Sequence, residues 1–155
     1  MIFVAEDNGY AETTASSWSV AGSQVGRGNG FGLPSRLVNG FDFFEVYEVA
    51  GEMIERARSG GGPSLMHVKL GRFYGHFEGD AMTYRAPDEI ANLRAHSDPI
   101  VLFRQRVVEA SLLNPSELDD IDRSVRSGMA TIVADAKAAP PPTEADLMTD
   151  VYLRY

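Results

Sequence analysis

The residues best suited to chemistry lie on a glycine-containing loop, residues 71–85 (GRFYGHFEGDAMTYR). His76 stands in the middle of this loop, and a histidine can donate or accept a proton near neutral pH. The loop also carries two acids, Glu78 and Asp80, but acids on such a loop are more often solvated than catalytic. The sequence therefore makes His76 a candidate acid or base, with ordinary loop packing as the alternative.

The other two histidines and the residues that flank the loop have simpler roles. His67 lies within a strand pattern, where we expect a packed or edge residue, and His96 lies near a helix end, where it complements the helix dipole. Arg72, Tyr84 and Arg85 flank the loop, and anchoring of the loop is their simplest role.

A second polar segment follows an apolar run at the amino terminus. Residues 2–5 (IFVA) fit a buried parallel strand. Residues 6–10 (EDNGY) indicate the turn at its carboxyl end, where ligands gather in open α/β sheets. On spacing alone, Asp7-Asn8-Gly9 is most simply a turn.

The elements that must position these segments follow from the pattern of the chain. A strand at 36–38, a helix opened by a capping box at Asp42, and a strand at 64–70 predict a βαβ unit with a parallel sheet. Residues 11–34 are polar and rich in glycine, so we expect a long loop with one short helical turn near Trp18. The glycines at 26–30 lack the strand-then-helix context of a phosphate-binding loop.

Three helices are expected in the second half of the chain. A short helix begins near Pro87, another begins at Pro99, and a long helix begins at Pro115, because proline suits the first helical position. We therefore expect an α/β domain over residues 1–85 and a helical arm with a terminal segment over residues 86–155.

The composition excludes several classes of protein. The chain has 155 residues, 22 acidic against 14 basic, and a net charge of −8, which argues against a nucleic-acid binder. No apolar run approaches the roughly 18 residues of a membrane span. The absence of cysteine excludes disulfides, thiolate zinc sites and a cysteine nucleophile. A cytoplasmic location is expected, since the amino terminus lacks the pattern of a signal peptide.

An ordered set of segments resembles one known family. The segments are residues 4–11 (VAEDNGYA), 38–42 (VNGFD), 72–76 (RFYGH), 84–85 (YR), 97–100 (SDPI) and 117–122 (ELDDID). The first looks like the end of the thiamine-diphosphate motif, which begins with Gly-Asp-Gly, and the third and fourth resemble the active-site loop. Together they are similar to the carboxyl-terminal half of the α subunit of thiamine-diphosphate-dependent 2-oxo acid dehydrogenases. Residues 74–80 (YGHFEGD) resemble acetoin dehydrogenase α subunits most.

The resemblance implies thiamine diphosphate as the cofactor, bound through Mg²⁺. It implies the side-chain oxygen of Asn8 and the backbone carbonyl of Tyr10 as metal ligands. Mg²⁺ prefers oxygen ligands and few protein groups beside phosphate oxygens. It also implies half of a thiamine-diphosphate-binding fold: an α/β chain with a partial parallel sheet, flanking helices and a carboxyl-terminal helical arm.

The resemblance also assigns roles on the 71–85 loop. His76 matches the histidine that lies beside the reactive carbon of the cofactor, so it is the expected catalytic residue. Arg72, Tyr84 and Arg85 are expected to bind the cofactor by reaching its diphosphate, or to hold the loop closed.

The chain departs from the family pattern in ways that imply partners. The Gly-Asp-Gly half of the motif is absent, and the glutamate that activates the cofactor belongs to the β subunit in this family. We therefore expect a separate chain carrying Gly-Asp-Gly and a β-type subunit, in a hetero-oligomer; a truncated gene product or a fragment is the alternative. Asp7 replaces the usual first asparagine, and Asn39 replaces the usual aspartate.

The function implied by the resemblance is that of an enzyme subunit that needs partner chains. The enzyme would be a 2-oxo acid or acetoin dehydrogenase that cleaves or forms a carbon–carbon bond next to a carbonyl and passes an acyl group to a lipoyl carrier. Two alternatives remain: a thiamine-dependent carboligase subunit in a biosynthetic pathway, or a non-catalytic structural or regulatory partner of an intact enzyme. Neither a nucleic acid nor a membrane is an expected partner.

Overall fold

The computed structural model describes residues 1–149, which form two compact units, Met1–Ala110 and a second that begins at Ser111. The elements of the first unit are β1 (Ile2–Asp7), β2 (Tyr10–Ala11), β3 (Thr14–Ala15), α1 (Ser16–Ser19), α2 (Gln24–Gly30), β4 (Ser35–Asn39), α3 (Phe43–Arg58), β5 (Ser64–Lys69), α4 (Glu89–His96) and α5 (Pro99–Glu109). The second unit holds α6 (Pro115–Ala138) and a 3₁₀ helix (Glu144–Met148).

A three-stranded parallel sheet in the order β1-β5-β4 forms the centre of the first unit. β5 lies between the other two strands, with Asp7 of β1 opposite Lys69 and Ser35 of β4 opposite Leu65. The core comprises Val38, Val49, Met53, Met66 and Val68, which join α3 to one face of the sheet. The predicted α/β class, with a partial parallel sheet and flanking helices, is thus confirmed.

The amino terminus of α3 differs in one detail from the expected capping box. The Asp42 carboxylate caps the helix by accepting hydrogen bonds from the backbone N–H groups of Phe44 and Glu45. The Glu45 carboxylate, however, accepts from the N–H of Asn39 at 3.2 Å. The capping pair therefore fastens the end of β4 to the start of α3.

The expectation of a long loop over residues 11–34 was wrong, although the short helical turn expected near Trp18 is present as α1. This segment contains most of a small antiparallel hairpin, made by β2 and β3, and two helices, α1 and α2. In α2, Ser23 caps the helix and Gly28 is buried, where an added Cβ would lie 2.2 Å from the Ser35 hydroxyl oxygen. Glycine costs a helix about 1 kcal/mol per residue, so local propensity favours a loop. The close approach of α2 to the sheet needs that glycine.

The later helices follow the sequence expectation closely. α5 begins at Pro99 with an Asp98 cap, and α6 begins at Pro115 with a full capping box between Asn114 and Glu117. α4 begins at Glu89, two residues after the expected proline. A domain boundary after residue 85 stays a prediction.

Within residues 1–149, no helix is both long enough and apolar enough to cross a membrane.

Gly40 provides a test of the packing between β4 and β5. An added Cβ would lie 2.7 Å from the Lys69 carbonyl oxygen, a backbone atom that cannot move aside. We expect Gly40→Ala to lower the free energy of unfolding by about 1–3 kcal/mol, measured by urea denaturation of the chain. Gly51→Ala is the matched control, since no atom lies within 4 Å of its Cβ position in α3. It should raise stability by about 0.5–1 kcal/mol, and equal effects of the two changes would contradict the packing argument.

Candidate active site

The turn after β1 is built by two consecutive side-chain caps. The Asp7 carboxylate oxygen Oδ1 accepts a hydrogen bond from the N–H of Gly9 at 2.9 Å, and Asn8 Oδ1 accepts from the N–H of Tyr10 at 3.0 Å. Asparagine and aspartate form such turns with the backbone two residues on, and Gly9 supplies the positive φ of 85°. An amide oxygen has two acceptor positions, and the bond to Tyr10 uses one of them.

Asp7 is also bound from the neighbouring strand. Its Oδ2 accepts hydrogen bonds from the Lys69 ammonium at 2.6 Å and from Nε2 of the buried His67 at 2.9 Å. The hydrogen bond from Lys69, with further bonds from His67 and the Gly9 N–H, lowers the pKa of Asp7 to about 2. The turn therefore begins with a carboxylate that is charged and fully engaged.

Tyr10 connects the turn to the end of the 71–85 loop. Its hydroxyl donates to Glu89 at 2.6 Å, and this hydrogen bond to a carboxylate raises the pKa of Tyr10. Its ring meets the Tyr84 ring edge-on, with centroids 5.2 Å apart, and the Arg85 guanidinium lies 5.0 Å from the ring centroid. Turn and loop therefore share one packed aromatic contact.

Arg85 is the most deeply buried charged group of this cluster. Its side chain is 3% exposed, and its Nη1 donates to the Glu89 carboxylate at 2.8 Å. Its Nε and Nη2 have no hydrogen-bond partner among the described residues. The guanidinium therefore depends on Glu89 and on the rings of Tyr10 and Tyr84 for its stabilisation.

Arg72 organises the loop through four hydrogen bonds. It donates to the Tyr84 hydroxyl at 2.6 Å, to the Glu12 carbonyl at 3.2 Å and to the Tyr74 carbonyl at 3.1 Å. Its Nη1 also lies 3.2 Å from Nδ1 of His76. Because arginine has donors only, Nδ1 of His76 is the acceptor in this bond. The proton of the imidazole is therefore on Nε2, 3.7 Å from a Glu12 carboxylate oxygen.

Asp80 holds the same loop from its other side. Its carboxylate accepts from the backbone N–H groups of His76 and Met82, each at 2.8 Å, and from the Tyr84 hydroxyl at 2.7 Å. The His76 N–H contributes most to lowering the pKa of Asp80 to about 2, with the Tyr84 hydroxyl next. Asp80 is therefore a hydrogen-bonded group of the loop, whereas its partner in sequence, Glu78, is exposed.

The structure thus brings together all the candidate site residues that the sequence analysis named. These are Asn8, Tyr10, Arg72, His76, Tyr84 and Arg85, all in the first unit. The described contacts of the two arginines and Tyr84 hold the loop, and binding of these groups to a cofactor stays a prediction. The contacts of Glu12 and Glu89 were missed; only the i, i+4 spacing of Arg85 and Glu89 could have indicated one of them.

A cleft of about 630 Å³ opens beside the turn. Its lining includes Asp7, Tyr10, Leu37, His67 and Lys69. Trp18, in α1, is 85% exposed. The cleft therefore adjoins the Asn8–Tyr10 turn at the carboxyl ends of β1 and β5.

The acidity of Asp80 is open to direct measurement. Its folded pKa lies below the ordinary value of 3.8, so its contribution to loop order is present above about pH 4 and is lost as the pH falls through about 2. We expect the Asp80 carboxyl carbon, followed by NMR, to titrate near pH 2. Tyr84→Phe removes one donor and should raise that pKa, whereas Tyr47→Phe on α3 should not. A wild-type pKa near 3.8 would contradict the arrangement.

The similarity to known relatives extends over nearly the whole of this chain but over less than half of each relative. The chain is 53% identical over 156 aligned residues to the α subunit of acetoin:2,6-dichlorophenolindophenol oxidoreductase from Cupriavidus necator, covering 100% of this chain and 47% of the relative. The Bacillus subtilis protein of the same name is 38% identical, with 100% and 46% covered. The α subunit of the pyruvate dehydrogenase E1 component from Rhizobium meliloti is 34% identical, with 99% and 44% covered.

The family assignment follows from these similarities together with a profile match. The chain spans about half the length of the curated relatives it matches. The sequence profile of the dehydrogenase E1 component matches residues 1–145. The resemblance noted in the sequence is thus confirmed, and the chain belongs to the dehydrogenase E1 component family.

Proposed function

We propose that this chain contributes one side of a thiamine-diphosphate site to a 2-oxo acid or acetoin dehydrogenase. The observation that carries the proposal is a continuous set of contacts between the two segments that the family motif assigns to the site. Tyr10 of the turn packs on Tyr84, Tyr84 accepts from Arg72, and Arg72 donates to His76. The turn that would bind the metal and the histidine that would donate to the substrate are thereby connected by direct contacts.

The donors of the turn suit Mg²⁺ held largely by phosphate. The Asn8 side-chain oxygen and the Tyr10 carbonyl would be its two ligands from this chain. Both are neutral oxygens, and Mg²⁺ usually takes one or two carboxylates as well. Among the described residues, no group of three or more histidine, aspartate or glutamate side chains could hold a metal. We expect the charged ligand to be the aspartate of the Gly-Asp-Gly half.

His76 would act on the substrate oxygen. When bound, thiamine diphosphate supplies a nucleophilic carbon and an electron sink for cleaving the carbon–carbon bond next to a carbonyl. The Nε2–H of His76, fixed by the bond from Arg72 to Nδ1, would donate a hydrogen bond where negative charge gathers. Its side chain is 44% exposed, so a substrate has access to it.

Arg72, Tyr84 and Arg85 would set the position of His76 and the reach of the loop toward the diphosphate. Loss of the Arg72 guanidinium would remove the hydrogen bond that selects the Nε2–H form of His76. The hydrogen bonds from Arg72 to the Glu12 carbonyl and to the Tyr84 hydroxyl place its positive charge near the turn. This location also favours an anionic group of a cofactor.

The complete enzyme would need a chain with the Gly-Asp-Gly half and a β-type subunit with the activating glutamate. The overall reaction would be oxidative cleavage of a 2-oxo acid or acetoin, with the acyl group passed to a lipoyl carrier. The names of the relatives, α subunits of acetoin oxidoreductases and of a pyruvate dehydrogenase, support this class.

Calorimetry tests the shared metal site. We expect thiamine diphosphate with Mg²⁺ to bind weakly to this chain alone and tightly after the two partner chains are added. In the assembly, Asn8→Ala should lower the affinity for Mg²⁺ by about tenfold or more, because one ligand is lost. Asn29→Ala, an exposed change on α2, is the matched control. An assembly that binds no cofactor would exclude the enzymatic function and favour a structural or regulatory role.

Turnover of the assembly tests His76. His76→Ala should leave cofactor binding nearly intact and lower turnover by about two orders of magnitude or more. His96→Ala changes an exposed histidine at the end of α4 and should leave turnover unchanged. Steady-state kinetics with 2-oxo acids and acetoin would measure both variants. Equal turnover of the His76 variant and wild type would remove His76 from the mechanism.

A further inference from the structure

The contacts of Asp7 have a role beyond capping the turn. One oxygen of the Asp7 carboxylate holds the Gly9 N–H, and the other lies between the Lys69 ammonium and His67 Nε2. Gly9 stands between Asn8 and Tyr10, the two proposed metal ligands. The Asp7 carboxylate therefore connects side chains of β5 to the ligand turn, beside the backbone bond from the Leu70 N–H to the Asp7 carbonyl.

Parallel pairing places the two β5 groups where they can reach Asp7. Lys69 is opposite Asp7 and His67 is opposite Ala5, so the two side chains occupy positions i and i+2 on one face of the sheet. The Asp7 side chain is 20% exposed and that of His67 is 7% exposed. The Lys69 side chain is 53% exposed, so the ammonium is in contact with water while both donors face the carboxylate.

The charge of Asp7 makes these donors necessary. The family motif has a neutral asparagine at this position, as noted from the sequence, whereas Asp7 brings a negative charge one residue before Asn8. An ionised carboxylate that loses its partners in a partly buried position is costly. Without Lys69, Oδ2 would keep only the bond from His67 Nε2, and the carboxylate would turn more readily toward a cation at Asn8 and away from the Gly9 N–H.

We propose that Lys69 is a positioning residue for the metal turn: by pairing with Asp7, it keeps that carboxylate on the Gly9 N–H and so sets the geometry of Asn8 and Tyr10. The inference rests on the proposed function for the metal, but the contact itself does not. Both Asp7 oxygens have partners, the Gly9 N–H on Oδ1 and Lys69 Nζ at 2.6 Å with His67 Nε2 on Oδ2, so the described contacts of Asp7 support the turn.

A double-mutant cycle of Lys69 and Asp7 tests the proposal in the cofactor-free chain. Lys69→Met should lower the protection of the Gly9 amide against hydrogen exchange, because Oδ2 of Asp7 is then held by His67 Nε2 alone. In Asp7→Asn, the amide oxygen holds Gly9 without a charge, so adding Lys69→Met should change nothing further. Lys137→Met, at the other lysine of the sequence, is the control for loss of a positive charge.

The effect on the metal is tested with the proteins of this cycle and with Lys69→Arg, each assembled with the partner chains. By calorimetry, Lys69→Met should lower the affinity for Mg²⁺ by about tenfold, the usual effect of losing an outer partner of a ligand. Lys69→Arg should restore most of this affinity. The Asp7→Asn/Lys69→Met double variant should bind Mg²⁺ as tightly as Asp7→Asn.

Three results would overturn the proposal. The first is unchanged Gly9 protection and Mg²⁺ affinity in Lys69→Met, and the second is a lowered Gly9 protection without any loss of Mg²⁺ affinity. The third is a double variant as impaired as Lys69→Met, which would mean that Lys69 acts on the cofactor directly. Failure of the proposed function would give a different result. The wild-type assembly would bind no Mg²⁺, while the Gly9 protection would still change among the variants as described for the double-mutant cycle.

Discussion

The Arg72 guanidinium is the group on which the geometry of the candidate site depends. An arginine side chain has hydrogen-bond donors and no acceptor, so each of its partners must be an acceptor. It therefore fixes the orientation of the Tyr84 hydroxyl, which donates onward to Asp80, and it fixes the tautomer of His76. Since Asp80 also holds the His76 backbone N–H, both the main chain and the side chain of the histidine are determined by this network.

The parallel sheet explains why this network meets the ligand turn. β1 and β5 are neighbours in register, with Asp7 opposite Lys69, so their carboxyl ends lie at the same edge. The turn that follows β1 and the loop that follows β5 must then emerge side by side. Tyr10 occupies this junction, where its hydroxyl binds Glu89 and its ring contacts Tyr84 and Arg85.

Two carboxylates of this acidic chain are held by hydrogen-bond donors at the candidate site. The net charge is −8, yet Asp7 and Asp80 are each surrounded by donors, and both have a pKa of about 2. The donors differ in kind: an ammonium and an imidazole from β5 hold Asp7, whereas backbone amides and a tyrosine hydroxyl hold Asp80. Each carboxylate thereby orders a segment of backbone, and neither is placed as a free acid or base.

The sequence by itself determined the family, the order of the major elements and the candidate residues. Apolar periodicity and local caps fixed α3, α5 and α6, because these signals lie within a few residues of one another. Only the tertiary structure decided that the glycine-rich segment forms α2, whose Gly28 packs closely against β4. It alone also joined Glu12 and Lys69 to the site, since each meets partners about 60 residues away, a proximity that strand pairing creates and local sequence does not encode.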